Sequence, residues 1–136
     1  MSGDGLLSAL GSWIPRWRRL TDDERSACQG IVGDPDLDEL IVVFTPLPRY
    51  WGASATTLWR WVLTDPRREG DVGWCELMAH EAVHVEQWRD RGILGFGVWY
   101  LDSYLRSRLA GKGHWDAYEE VPAEAEARER AARHFR

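Results

Sequence analysis

The stretch from Trp74 to Arg91 contains neither Gly nor Pro and is rich in helix formers, and it constrains this chain more than any other segment. It predicts a helix that ends near Gly92. Trp74, Leu77, Met78, Val85 and Trp88 fall on one apolar stripe at helical spacing, with Glu76, Glu86, Gln87 and Asp90 on the polar side. His80 and His84 stand at the margin of the stripe, where a cleft wall is expected. They are one turn apart, so their imidazoles project side by side. Glu81 lies about 100° further round the same helix.

Two imidazoles so placed can grip one Zn²⁺ at about 2.0–2.1 Å. The carboxylate of Glu81 can then reach a water at the metal without itself being a ligand. His80-Glu81-Ala82-Val83-His84 is therefore the H-E-x-x-H arrangement of zinc hydrolases, with Glu81 as general base. The bland alternative is two histidines that happen to share a helix face. A purely structural zinc site needs no base between its ligands and is more often closed by Cys. The two cysteines, Cys28 and Cys75, are far apart in sequence and form neither a ligand pair nor a disulfide framework. Cys75, five residues before His80, points away from the metal side.

The rest of the chain supplies a scaffold. Leu6, Leu7, Leu10, Trp13, Ile14 and Trp17 recur at helical spacing and predict an amphipathic helix that ends or kinks near Pro15. Thr21-Asp22-Asp23-Glu24 is a capping box opening a short helix toward Gly30. Asp34 to Asp38, with Pro35, reads as a polar turn. Leu40 to Thr45 is a continuous β-branched and aromatic run, predicted to be a buried strand and stopped by Pro46 and Pro48. Arg49 to Ala53 reads as a loop, and Thr56 to Thr64 as a second strand, neighbouring the first. Asp65 to Gly73 is a charged loop. Ile93 to Leu109 predicts an aromatic-rich amphipathic helix, broken by Ala110-Gly111-Lys112-Gly113. His114 to Tyr118 reads as a loop, and Ala123 to Arg136 as a last helix with Pro122 at or near its first turn. The expected class is α+β in one domain over residues 1–136, with a small sheet of two or three strands packed on the histidine helix.

A formal net charge of −5 argues against a nucleic-acid partner, which usually demands a basic face. The longest apolar stretch, Ile93 to Leu105, is interrupted by Asp102 and falls short of the roughly 20 residues of a membrane span. Leu6 to Leu10 lacks the basic flank of a secretory signal. The expectation is a soluble protein, cytoplasmic or released without a recognisable signal. The sequence does not set an oligomeric state.

A catalytic zinc site normally has three protein ligands. Downstream of His84 the candidates are Asp102, His114, Asp116, Glu119, Glu120, Glu124 and Glu126. A ligand on a second helix packed against the first is geometrically simple, and Glu124 opens the last helix. Glu126 points about 200° away from Glu124. Composition alone does not choose, and Glu120 stays open.

His80-Glu81-Ala82-Val83-His84-Val85-Glu86-Gln87-Trp88, followed by Tyr118 and Val121-Pro122-Ala123-Glu124-Ala125-Glu126-Ala127, resembles the small gluzincin-type zinc metallopeptidase (zincin) domains. Their pattern is H-E-x-x-H-V-x-Q, an aromatic-rich helix, a Tyr, and an N-P-x-E-x-E-A segment. The resemblance covers about residues 74–130. It implies a zincin-like minimal domain whose C-terminal helix supplies Glu124 as third zinc ligand beside His80 and His84. Val121 replaces the usual Asn, which touches a local cap and not a ligand. Residues before about 70 match no pattern of the group, although two strands suit the sheet that zincins pack on their metal helix.

The reaction implied is hydrolysis of peptide bonds in a peptide or protein substrate, with one Zn²⁺ per chain. Tyr118 and His114 are the candidates for donating to the developing oxyanion. Trp88 and Trp115 near the site would favour apolar side chains. Val42 to Phe44 or Leu58 to Trp61 are candidate sheet edges for pairing with an extended peptide. Two other readings are a zinc-binding module that cleaves nothing and a toxin or effector protease with a dedicated target.

Overall fold

The computed structural model describes residues 16–136, an α+β fold in which a four-stranded sheet lies against a long helix. The expected helix over Leu6 to Trp17 lies largely outside the described residues. Its end is corrected: Arg16–Arg18 form strand β1, antiparallel to β2 (Ile41–Phe44). Arg16 and Arg18 hold their guanidinium groups 4.5 and 5.1 Å from the Phe44 ring centroid, a cation–π pairing that suits an extended strand.

Thr21 and Glu24 close the capping box that starts α1 (Asp22–Cys28). Glu24 does more than cap. It accepts two bonds from the Arg18 guanidinium, at 2.7 and 2.8 Å, and one from Trp74 Nε1 at 2.7 Å. One buried carboxylate thus ties β1, α1 and the start of the histidine helix together.

The predicted turn at Asp34 to Asp38 is instead a short helix, α2 (Asp34–Glu39). Pro35 sits in its first turn, where a missing N–H costs nothing. The acidic residues there complement the helix dipole, and Asp36 accepts from Arg89 Nη1 at 2.6 Å.

The predicted strand at Thr56 to Thr64 is two strands, β3 (Ala55–Leu58) and β4 (Trp61–Thr64), joined as a tight hairpin. Such turns usually place Gly where the backbone takes positive φ. Here Trp59 takes it, at φ 59°. Its ring meets Trp61 edge-on at 5.9 Å and carries the Arg60 guanidinium at 4.1 Å, and these contacts hold a conformation the residue type disfavours.

The sheet order is β1-β2-β4-β3, with β2 and β4 parallel and the other pairs antiparallel. Four strands replace the two or three expected. Among the described residues β1 and β3 are the edges, so Val42 to Phe44 lies inside the sheet and only the β3 end of Leu58 to Trp61 lies on an edge. Arg49 to Ala53 overlaps a 3₁₀ turn (Leu47–Trp51), and a second such turn (Pro66–Arg68) opens the charged loop. Asp65 anchors both, accepting from Arg49 and Arg67.

The histidine helix and the aromatic helix form one long element, α3 (Trp74–Leu109), divided by Gly92 at φ 73° and ψ 166°. That conformation is essentially restricted to glycine. The first arm buries Met78, Ala79, Ala82 and Val83 against Leu37, Leu40, Val42 and Val62. The second arm joins a smaller cluster around Phe96 and Val121. The predicted loop at His114 to Tyr118 is a helix, α4 (His114–Glu120), in which Trp115 stacks on Tyr118 at 5.5 Å. The chain closes with α5 (Pro122–His134). Ala123, Ala127 and Ala131 recur every fourth residue and are buried, which lets α5 lie close to α3. Cys28 and Cys75 are free, and burial pushes the Cys28 thiol up to about 12, leaving it inert.

Candidate metal centre

His80 and His84 leave the first arm of α3 on one face, with ring centroids 5.0 Å apart. Pro122 starts α5 two residues before Glu124, so this carboxylate sits in the first turn and faces α3. Its Oε2 lies 3.1 Å from Nε2 of His80 and 3.1 Å from Nε2 of His84. The three ligand atoms all lie within 4.8 Å of one another, close enough to hold one metal ion.

Three of the other candidate carboxylates are engaged elsewhere, and Asp116 and Glu119 do not join the cluster. Asp102 pairs with Arg106, Glu120 with Lys112, and Glu126 with Arg130. Packing of α5 on α3 thus selects Glu124 from a list that composition left open. Val121 caps α5 with no side-chain bond and is buried in the second cluster instead.

His84 and Glu124 each have a supporting partner. Nδ1 of His84 lies 2.8 Å from Oε1 of Gln87, and the Gln87 amide donates to the Ala123 carbonyl at 3.1 Å. A carbonyl oxygen at Nδ1 holds a proton there, which makes Nε2 the nitrogen that would take a cation in place of its own proton. The placement of Gln87 on the polar side of the helix is corrected: it is buried, because α5 covers that sector. The Tyr100 hydroxyl donates to the second Glu124 oxygen, Oε1, at 3.2 Å, leaving Oε2 to the histidines. Glu81 is buried beside the ligands, and its Oε2 accepts from the Thr57 hydroxyl at 2.6 Å.

Within the cluster the charges act on one another. Burial by itself would lower the His84 pKa, but the bond to Glu124 and the charges of Glu81 and Glu124 outweigh it and push it up to about 9. Burial would raise Glu124, yet the two histidines hold it well below the usual carboxylate range. Burial and the nearby Glu124 charge push Tyr100 and Tyr118 above their ordinary values, so both keep their protons and act as O–H donors.

Of the two predicted oxyanion donors, Tyr118 lines the cleft beside Glu124, and its ring lies 6.5 Å from that of Tyr100. His114 also lines the cleft, but its Nδ1 is 2.7 Å from the Tyr104 hydroxyl, so that nitrogen is already partnered. Gln87, Tyr100 and Thr57 are the residues that sequence reasoning left without a role. Gln87 had a signal, its place three residues after His84 on the helix. Tyr100 and Thr57 had none, since each is an ordinary member of an amphipathic helix or a strand.

Comparison with protein-family models, with curated proteins and with solved structures gives no match for this chain. Among the described residues, no helix is long and apolar enough to cross a membrane.

Proposed function

We propose that the chain is a zinc-dependent peptidase of zincin-like, gluzincin type, with His80, His84 and Glu124 as metal ligands and Glu81 as general base. The observation that carries this reading is the shared approach of both Nε2 atoms to Glu124 Oε2 at 3.1 Å. Donors around a tetrahedral Zn²⁺ at about 2.0–2.1 Å stand about 3.3 Å apart, so the cluster needs little adjustment to take the ion. Two imidazoles and one carboxylate are also a donor set that suits zinc.

Zinc bound there supplies a Lewis acid that polarises the substrate carbonyl and makes a water acidic enough to attack near neutral pH. Glu81 takes the proton of the attacking water and hands it to the leaving amine. Thr57 holds the Glu81 carboxylate in place for that transfer. Gln87 fixes the His84 ring, and Tyr100 restrains Glu124. The protonated Tyr118 hydroxyl stands ready to donate to the oxyanion, while the Tyr100 proton is given to Glu124. A module that only stored zinc would have no use for a buried carboxylate tethered beside its ligands, which favours the hydrolytic reading.

The test is metal content by elemental mass spectrometry on wild type and His84→Ala, with peptide-library cleavage on both. About one zinc per chain, lost together with cleavage in the variant, is the expected result. Equal metal content in the two proteins would dismiss the site.

A further inference from the structure

The cleft beside the metal centre has a volume of about 440 Å³, within the range of sites that enclose ligand groups. Glu81, His84 and Glu124 of the candidate metal centre are among the residues that line it. Beyond Glu81 and Glu124, no Asp, Glu, Lys or Arg among the described residues lines the cleft. A charged group that does not reach Glu81 or Glu124 would lose its hydration there without gaining an Asp, Glu, Lys or Arg partner.

The α3 wall is aromatic. Trp88 and Phe96 stack with ring centroids 4.1 Å apart. Trp88 Nε1, the one polar atom of that ring, donates to the Thr57 carbonyl at 3.1 Å, so the indole offers the cleft only carbon. Leu58 and Leu101 stand at the cleft with 47% and 56% of their surfaces exposed.

Gly97 completes this wall from inside a helix, where glycine is a poor choice. Packing among the described residues does not demand it: a Cβ built at Gly97 meets none of their heavy atoms within 4 Å. What the missing side chain leaves is room in the cleft, one turn from Leu101 and next to Phe96.

We infer that this cleft is the pocket for a large apolar side chain, aromatic or long aliphatic, on the substrate residue flanking the cleaved bond, and that Gly97 keeps it open. The assignment rests on the metal-centre reading, since only proximity to Glu81 and the ligands makes the occupant part of a peptide substrate. An aromatic side chain brings about 150–250 Å² of surface to such a wall. Filling the space with Gly97→Phe places a ring where the substrate ring would lie, on a helix that tolerates the substitution.

The test uses the full chain, zinc-loaded and metal-free. With zinc, 3-phenylpropanoyl hydroxamate should bind wild type at least about tenfold more tightly than acetohydroxamate. In Gly97→Phe that ratio should fall toward one while zinc content and acetohydroxamate affinity stay at wild-type level. Without metal, the neutral fluorophore N-phenyl-1-naphthylamine should bind wild type and lose at least about tenfold in affinity in the variant. Gly97→Leu serves in the same comparisons if circular dichroism shows that Gly97→Phe does not fold. A phenyl advantage that is absent in wild type, or unchanged in the filled variant, overturns the pocket. Failure of both hydroxamates, with the fluorophore still sensitive to Gly97, overturns the metal reading and the substrate assignment and leaves an apolar site alone.

Discussion

Thr57 donates its hydroxyl to Glu81 Oε2 at 2.6 Å, which joins the edge strand of the sheet to the carboxylate between the two histidines. Both residues are buried, so the bond is shielded from water and well able to hold the carboxylate in one orientation. Glu81→Gln should keep zinc and lose hydrolysis by about 10²-fold or more, the usual scale for a general base. Thr57→Val removes the hydroxyl while keeping the shape. It should lower kcat by about tenfold or more, from the loss of a bond to a charged group, with little change in KM. Thr57→Ser should recover most of that loss. Steady-state kinetics on a cleaved peptide checks all three, and full activity in Glu81→Gln would remove it from the mechanism.

Glu124 is the only candidate acid that meets both histidines. Glu124→Ala should therefore weaken zinc binding far more than Glu120→Ala or Glu126→Ala, whose partners are Lys112 and Arg130. Competition with a chromogenic chelator measures the order, and a reversed order would move the third ligand.

Gln87 touches no metal, yet it holds His84 Nδ1 at 2.8 Å and the backbone of α5 at Ala123. Gln87→Leu should cost about 10–100-fold in zinc affinity, as loss of an orienting partner commonly does. The same chelator titration reads it. An unchanged affinity would show that α5 packing alone orients His84.

Glu24 contributes to the acid dependence of the fold. Burial by itself raises its pKa, but the bonds from Arg18, Trp74 and the Thr21 backbone outweigh it and leave it below its ordinary value of 4.5. A carboxyl whose folded pKa lies below the unfolded one stabilises the fold above the unfolded value, and that contribution disappears as pH falls through the folded value. Wild type should therefore lose thermal stability below about pH 4.5 more steeply than Glu24→Gln, which starts lower and has less to lose. Melting curves between about pH 6 and 3 would show parallel slopes if Glu24 played no part.

Gly92 divides α3 at φ 73° and ψ 166° in open space, since a Cβ there meets no heavy atom within 4 Å. Gly92→Ala should destabilise by about 1–3 kcal/mol through backbone strain alone, without a steric clash. Chemical denaturation is the measurement. A stability equal to wild type would mean that the two arms of α3 can straighten into one helix.

Much of this architecture was legible because it is local. Helix propensity and the 3.6-residue period place His80 and His84 side by side, and Gly92 ends that arm as its type suggests. The capping box at Thr21 and Glu24 and the strand at Ile41–Phe44 follow from neighbouring residues in the same way. The hairpin within Ala55–Thr64 was not legible, because its turn rests on Trp59 where Gly or Asn would normally signal it. The short helix at His114–Glu120 was hidden for a related reason: seven residues are too few to show a helical period, and stacking of Trp115 on Tyr118 accompanies it.

By itself the sequence determined the histidine pair, the Glu81 carboxylate between them and the helix that carries all three, since these depend on spacing within a single turn. The choice of Glu124, the burial of Gln87 and the tether from Thr57 belong to the tertiary structure. Glu124 meets His84 across 40 residues and Thr57 meets Glu81 across 24. Such meetings depend on how α5 and the edge strand pack against α3, where buried alanines set the approach of two helices, and no period along the chain records that distance.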